Sequence, residues 1–234
     1  MSTRGVSFVQ NEYYHIYNRG NSKQKVFLVP QDYERFVKLL FLSNSIHSFN
    51  VRDLGAQNVF DVDRERQLVN ILAYCLMPNH FHILLTPLED DGISKFMLKL
   101  STAYSMYFNK KNNRTGTLFE GPYKSEFVCD DRYFRYLFAY IHLNPVKLID
   151  KNWKIDGVKN EQKTIDYLFS YKYSSLSDYI GASEIMRKES TVIDKDLFGE
   201  IFNKKQVVLK ELTDWFSDFP RGTLGKSGGV QDMI

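Results

Sequence analysis

Residues 71–87, with the sequence ILAYCLMPNHFHILLTP, form a long apolar run that is interrupted by a Pro-Asn pair and then by two histidines. This pattern predicts a strand, a tight turn and a second strand. Because successive side chains of a strand point to opposite faces, His80 and His82 are predicted to share one face and Phe81 to lie on the other. Two imidazoles on one face can bind the same metal ion, although an ordinary pair of hydrogen-bonded histidines fits the pattern equally well.

Composition sets outer limits on the class of protein. The chain has 234 residues, of which 43% are hydrophobic and 15% aromatic, enough for a sizeable packed core. Its 31 basic and 28 acidic residues give a net charge of +3, which neither identifies nor opposes a nucleic-acid partner. The two cysteines, Cys75 and Cys129, make no disulfide framework.

No targeting or membrane-spanning segment is apparent. The N-terminus lacks the apolar core of a signal peptide, and no apolar run is long enough to cross a bilayer. We therefore expect a cytoplasmic protein with no membrane partner.

Hydrophobic periodicity predicts alternating strands and helices around the strand pair, and hence an α+β sheet. Strands are predicted at Tyr13 to Asn18 and within 118–128. Helices are predicted from Asp32 to about Ser48, from Gly92 to about Asn109, and from Asp130 to Asn144, with mixed loop sequence over 50–67. In the first strand we expect His15 to be a structural residue beside the core.

The third helix combines a buried stripe with polar groups on its flank. At 100° per residue, Tyr133, Tyr140 and Asn144 lie together beside that stripe, and Pro145 ends the helix just after Asn144. Tyr140 and Asn144, at i and i+4, can present a phenol and an amide to one point in space. In so tyrosine-rich a chain, packing is the competing explanation for any single tyrosine.

Basic residues cluster after the second helix and near the strands. Lys110, Lys111 and Arg114 belong to an amide-rich helix end that is either a solvated turn or a phosphate-binding cluster. Together with Arg19 and Lys124, they are our predicted contacts to a DNA backbone.

Four ordered motifs carry a resemblance to a known family. The motifs are YHIYNRG (14–20), MPNHFHIL (77–84), GTLFEG (116–121) and YIHLNPVK (140–147). They resemble the REP-associated tyrosine transposases, members of the single-tyrosine nucleases and transposases named HUH after their histidine–hydrophobic–histidine motif. The match covers roughly residues 7–150.

The resemblance implies a fold and an activity. It implies a ferredoxin-like antiparallel sheet carrying His80 and His82, with a helix that brings Tyr140 to them as the nucleophile. The implied activity is endonuclease and strand-transferase chemistry on hairpin-associated single-stranded DNA, through a 5′-phosphotyrosine intermediate, in DNA transposition or repeat processing. The implied partner is single-stranded DNA with hairpin structure, bound by a monomer or homodimer.

The resemblance also implies a divalent metal, with Asn144 as a third, polar ligand beside His80 and His82. We expect Mg²⁺ or Mn²⁺ because an oxygen ligand and phosphate oxygens suit both ions. Zinc is disfavoured because no cysteine stands near the pair at a tetrahedral ligand spacing. Cys75 is expected to point into the sheet or to its opposite face.

The predicted domain organisation has three parts. Residues 7–150 form the catalytic domain, 151–220 a mostly helical, aromatic C-terminal extension, and 221–234 a flexible Gly- and Ser-rich tail.

Two other functions stay open at this stage. A binding module for hairpin DNA or RNA would explain the aromatic and basic residues but would have no need for two histidines, a tyrosine and an amide of compatible geometry. A metal-dependent phosphodiesterase that uses water as its nucleophile would need the histidines but not Tyr140.

Overall fold

An antiparallel four-stranded sheet organises the chain. A computed structural model describes residues 8–49, 51, 54–55, 57–181, 187–198, 202 and 204–216, so the predicted tail at 221–234 lies outside the described residues. The sheet has the strand order β2-β3-β1-β4. Its strands are β1 (Tyr14–Arg19), β2 (Val69–Met77), β3 (His80–Pro87) and β4 (Lys124–Phe127).

Helices pack on both faces of this sheet. The main ones are α1 (Pro30–Ser43), α2 (Gly92–Lys111), α3 (Asp131–Leu143), α4 (Trp153–Asp156), α5 (Glu161–Ser170), α6 (Leu176–Ile180) and α7 (Lys205–Thr213). The chain order β1-α1-β2-β3-α2-β4 with this strand order is the ferredoxin-like arrangement, which confirms the predicted α+β class. Among the described residues, no helix has the length and hydropathy needed to cross a bilayer.

The two faces of the sheet differ in chemistry. On one face, Phe81 packs against Phe36 of α1 at 5.0 Å between ring centroids, within an aromatic core that α1 and α2 cover. On the other face, His82 meets Tyr140 of α3 at 5.3 Å. The alternation of β3 therefore separates a hydrophobic layer from a layer that carries polar groups.

The first helix is shorter than its sequence predicts, because a tertiary contact ends it. Its last residue is Ser43, and the next residue, Asn44, accepts hydrogen bonds from the backbone N–H groups of Leu68 and Val69, each at 3.0 Å. Its amide nitrogen donates to the Val69 carbonyl at 2.8 Å. These bonds tie the end of α1 to the start of β2.

The C-terminal extension covers the outer edge of β2. The backbone N–H of Leu76 donates to the backbone carbonyl of Tyr173 at 2.9 Å, and the N–H of Ser175 donates to the carbonyl of Tyr74 at 3.0 Å. Further along, the N–H of Asp194 donates to Ile71 at 2.8 Å. The extension thereby pairs backbone groups that an uncovered edge strand would expose.

Candidate active site

The two histidines of β3 lie on the same buried face of the sheet, as predicted. In the strand register His80 lies opposite Arg19 and His82 opposite Tyr17, so all four side chains belong to the face that α3 covers. His80 is 8% exposed and His82 1%. Their rings lie 5.1 Å apart at a steep angle, close enough for both to reach one small ion.

Helix α3 brings Tyr140 and Asn144 to these histidines. The helix is capped by Asp130, whose side chain accepts a hydrogen bond from the Tyr133 N–H at 2.7 Å. Tyr140 sets its ring edge-on to His82, and one turn later the Asn144 amide nitrogen donates to the Tyr140 carbonyl at 2.8 Å. The fold thus brings together the four residues predicted for the site.

Burial keeps the two imidazoles neutral. It lowers the pKa of His80 to about 4, an effect that a hydrogen bond to Asn144 opposes and the positive charges of Lys147 and Lys154 reinforce. Burial, followed by the neighbouring His15 and His80, also lowers the pKa of His82 well below its ordinary value. Neutral imidazoles have a lone pair available to a metal at physiological pH.

The same burial keeps the phenol of Tyr140 protonated. Burial, then the nearby Tyr136, raise the pKa of Tyr140 above its ordinary value, and a hydrogen bond to Asn144 partly offsets them. Tyr140 must therefore lose a proton as it reacts, and a positive charge nearby would favour that loss.

The donor set fits a divalent cation. The Nε2 atom of His82 is buried and has no hydrogen-bond partner among the described residues, which is costly for a polar atom unless a ligand satisfies it. The Asn144 amide uses its nitrogen for the Tyr140 carbonyl, which leaves its oxygen as an acceptor. The described parts of the chain contain no group of three or more His, Cys, Asp or Glu side chains arranged to bind a metal. Phosphate or water oxygens would therefore have to complete the coordination of a cation at this site.

The predicted orientation of Cys75 is wrong. The two-residue turn pairs Met77 with His80 and Cys75 with His82, so Cys75 lies on the histidine face rather than the opposite one. It is fully buried, and burial raises the pKa of its thiol above the ordinary value. The face that Cys75 occupies is therefore no argument against a zinc site.

Sequence reasoning missed a polar network behind His82. His15 Nε2 lies 2.9 Å from His82 Nδ1, and His15 Nδ1 lies 3.8 Å from the carboxylate of Glu126. The hydroxyls of Tyr17 and Tyr133 donate to that carboxylate at 2.9 and 3.0 Å. The sequence does show that His15 and Tyr17, two residues apart in a strand, share one face. Their partners could not be found in this way, because they depend on strand pairing across more than sixty residues.

Sequence reasoning also missed a lysine beside the tyrosine. Lys154, on α4, has its ammonium group 4.5 Å from the centre of the Tyr140 ring. Burial, and then the charge of Lys147, lower the pKa of Lys154 to about 8. The site therefore has a cation next to its candidate nucleophile.

The predicted DNA contacts occupy two layers at one end of the sheet. Arg19 and Lys124 lie on the histidine face; Arg19 pairs with Glu120 at 3.1 Å, and Lys124 is exposed on the edge strand β4. Lys110, Lys111 and Arg114 belong to the α2 layer. A loop after α2 joins the layers, because the Asn21 N–H donates to the Leu118 carbonyl and the Glu120 N–H donates to the Arg19 carbonyl, each at 2.9 Å.

Lys111 has a structural partner. Its ammonium group lies 2.6 Å from the carboxylate of Asp32, which is fully buried at the start of α1. The Asp32 carboxylate also accepts hydrogen bonds from the N–H groups of Leu28 and Val29, at 2.8 and 3.1 Å. A phosphate contact by Lys111 would have to share this ammonium group, whereas the side chain of Lys110 is exposed.

The chain is similar to a solved structure and to a known protein family. A solved structure described as a REP-associated tyrosine transposase bound to a REP hairpin matches with 15% identity and a TM-score of 0.49, over 80% of this chain and 91% of that one. Curated protein sequences give no match. The family described as "Transposase IS200 like" matches residues 8–144, well over half of the chain and all of the candidate site except Lys147 and Lys154. The chain therefore belongs to the IS200-like transposase family, whose members process DNA.

Proposed function

We propose that the protein cleaves and rejoins hairpin-associated single-stranded DNA with Tyr140 as the nucleophile. The observation that carries the proposal is the contact between Tyr140 and His82, whose Nε2 atom is buried and unsatisfied. A nucleophile beside a nitrogen that can bind a metal suits metal-assisted cleavage of a phosphodiester by a side chain. Membership of the IS200-like transposases supports a DNA substrate.

The proposed reaction is a transesterification. The Tyr140 oxygen attacks the phosphorus, the bond between phosphorus and the 3′-oxygen breaks, and the products are a 5′-phosphotyrosine and a free 3′-hydroxyl. The phenol gives up one proton and the leaving oxygen takes one up. Because the phosphotyrosine conserves the bond energy, a second 3′-hydroxyl can reverse the reaction and join strands without another energy source.

We propose that a divalent cation, Mg²⁺ or Mn²⁺, is held by His80, His82 and Asn144. When bound, it would polarise the scissile phosphate and stabilise negative charge on the leaving oxygen. The two neutral imidazoles and the position of the Asn144 amide beside His80 and Tyr140 support this assignment.

The lysine beside the tyrosine has a role in this scheme. Lys154 places positive charge over the Tyr140 ring, where it would stabilise the phenolate that forms as the phenolic proton is lost. Lys147, whose charge also acts on the pKa of His80, adds to the positive potential that attracts phosphate.

We further propose that the DNA backbone runs along the basic end of the sheet. Arg19 and Lys124 share the face of the histidines, and they are the proposed contacts nearest the scissile phosphate. Lys110, Lys111 and Arg114 belong to the α2 layer on the other face of the sheet, and their proposed contacts would hold the hairpin. A monomer or a homodimer is compatible with this arrangement.

Cleavage of end-labelled hairpin DNA tests the proposed function. The purified full chain, incubated with Mn²⁺ or Mg²⁺ and a single-stranded hairpin oligonucleotide, should give a shortened strand and a protein-linked strand on a denaturing gel. Tyr140→Phe should give neither product and should still bind DNA, because only the hydroxyl is lost and the ring stays packed. Cleavage by Tyr140→Phe at the wild-type rate would instead indicate a phosphodiesterase that uses water.

A further inference from the structure

A row of buried polar side chains leads from Glu126 to the candidate metal site. A Glu126 carboxylate oxygen lies 3.8 Å from His15 Nδ1, too far for a hydrogen bond but close enough for a charge to act, and His15 Nδ1 has no hydrogen-bond partner among the described residues. His15 Nε2 lies 2.9 Å from His82 Nδ1. The last atom of the row is the unsatisfied Nε2 of His82. Glu126 and the two histidines are each at most 8% exposed, so solvent does not replace these contacts.

Only one arrangement of protons lets His82 bind a metal through Nε2. A neutral imidazole has one N–H and one lone pair, so a lone pair on Nε2 requires the proton on Nδ1. His82 Nδ1–H must then donate to His15 Nε2, and His15 must have its own proton on Nδ1. In the opposite arrangement His15 donates to His82, which puts a proton on Nε2 of His82 and excludes the metal.

The carboxylate of Glu126 decides between these arrangements. Its negative charge favours an N–H over a lone pair at His15 Nδ1, and this selects the arrangement that leaves Nε2 of His82 open. Glu126 is itself held in place by the hydroxyls of Tyr17 and Tyr133.

We propose that Glu126 and His15 are positioning residues that fix the orientation and proton arrangement of His82, so that its Nε2 atom faces the divalent cation. This inference rests on the proposed metal site. It adds two residues that touch neither the DNA nor the cation, and it gives the histidine of the YHIYNRG motif a task beyond packing.

Binding of Mn²⁺ to the full chain without DNA tests the proposal. Isothermal titration calorimetry would compare the wild type with Glu126→Gln, which keeps the shape but loses the charge, and with His15→Phe, which keeps a ring but loses both nitrogens. His47→Gln is the matched control, because His47 pairs with Glu65 at 2.9 Å on the exposed surface. Melting curves in chelator establish that each variant is folded.

We expect Mn²⁺ affinity to fall about 10- to 100-fold in Glu126→Gln and in His15→Phe, and to stay unchanged in His47→Gln. If both folded variants bind Mn²⁺ as tightly as the wild type, the two residues are merely structural and the proposal is wrong. Failure of the wild type itself to bind Mn²⁺ would overturn the proposed metal site, and not merely the positioning role of Glu126 and His15.

Nitrogen NMR of the imidazoles separates these two failures. In metal-free wild-type protein, assigned with single histidine substitutions, His82 should show a protonated Nδ1 and an unprotonated Nε2. Glu126→Gln should give a mixture of both forms. A proton on Nε2 of His82 in the wild type would refute the positioning role of Glu126 and His15, whatever the metal measurements give.

Discussion

Replacement of Lys154 by methionine tests the role of the cation beside the nucleophile. Methionine keeps most of the apolar stem that packs near Tyr140 and removes the charge. The ammonium group lies 4.5 Å from the centre of the Tyr140 ring. For unit charges about 4–5 Å apart and an effective dielectric constant of about 20, Coulomb's law gives about 4 kcal/mol, an upper limit of about 10³-fold in rate.

Screening by solvent and by neighbouring charges reduces this limit. We expect Lys154→Met to lower the single-turnover cleavage rate about 10- to 100-fold, with DNA binding changed much less. Lys154→Arg keeps the charge and should retain most of the activity. The measurement is cleavage of a labelled hairpin oligonucleotide under single-turnover conditions, with binding followed separately by fluorescence anisotropy.

The dependence of this rate on pH provides a second criterion. Burial, and then Lys147, lower the pKa of Lys154 to about 8, so the side chain is charged below that pH and neutral above it. At DNA concentrations below saturation, the wild-type rate should therefore fall as the pH rises through about 8. The decline should be absent in Lys154→Arg, whose guanidinium stays charged. A wild-type rate in Lys154→Met, or an unchanged decline in Lys154→Arg, would refute the reasoning.

Three further predictions concern the metal, the DNA and the stability of the fold. His80→Ala or His82→Ala should reduce the cleavage rate at least about 100-fold, because a metal acts mainly on the transition state. An anisotropy titration should still detect DNA binding by both variants. Cleavage at the wild-type rate by either variant would contradict the assignment of these histidines as metal ligands. Lys124→Ala should weaken binding to all sequences alike and reduce the slope of log affinity against log salt by about 0.7–0.9, and an unchanged slope would remove Lys124 from the backbone contacts. Asp32→Asn should lower the free energy of unfolding in urea by about 2–4 kcal/mol, because Lys111 keeps its charge while two backbone N–H groups lose their charged acceptor. Burial opposes ionisation of Asp32, but Lys111 and these N–H groups outweigh it and hold its pKa below 3.8. The ionised Asp32 side chain therefore stabilises the fold fully above pH 3.8, its ordinary pKa, and this stabilisation is lost as the pH falls through the lower pKa of the folded protein. The difference in stability between the wild type and Asp32→Asn should accordingly shrink in acid.

Local patterns were sufficient to predict the strand pair and the nucleophile's helix. The period of two in β3 separates His80 and His82 from Phe81, and the fold keeps that separation. The Asp130 cap and Pro145 bracket α3 much as predicted. Both signals lie within a few residues of the feature they determine, which is why one sequence contains them.

Features that depend on distant pairing were not accessible in the same way. His15 meets His82 only because β1 pairs with β3, and Lys154 reaches Tyr140 only because the chain turns back after α3. The early end of α1 likewise depends on bonds from Asn44 to β2. Propensity does not encode such contacts, since they form only when the fold closes.

The misplaced cysteine is a different kind of error. A two-residue turn fixes the pairing of the strands on either side, so the parity of Cys75 relative to His82 could have been counted from the turn. Alternation within β2 alone does not show which face of the sheet Cys75 occupies. That face follows from its pairing with His82, because paired residues of neighbouring strands point to the same side.

The central claim is that Tyr140 becomes covalently attached to DNA. The most direct test is mass spectrometry of the adduct that forms when the wild-type protein cleaves hairpin DNA in the presence of Mn²⁺ and is then denatured and digested with protease and nuclease. We expect a nucleotide linked through its 5′-phosphate to the peptide that contains Tyr140, and no adduct in Tyr140→Phe. Tyr136 and Tyr133 lie on the same helix and serve as internal controls. A nucleotide on either of them, or complete cleavage with no adduct on any tyrosine, would show that Tyr140 is not the nucleophile.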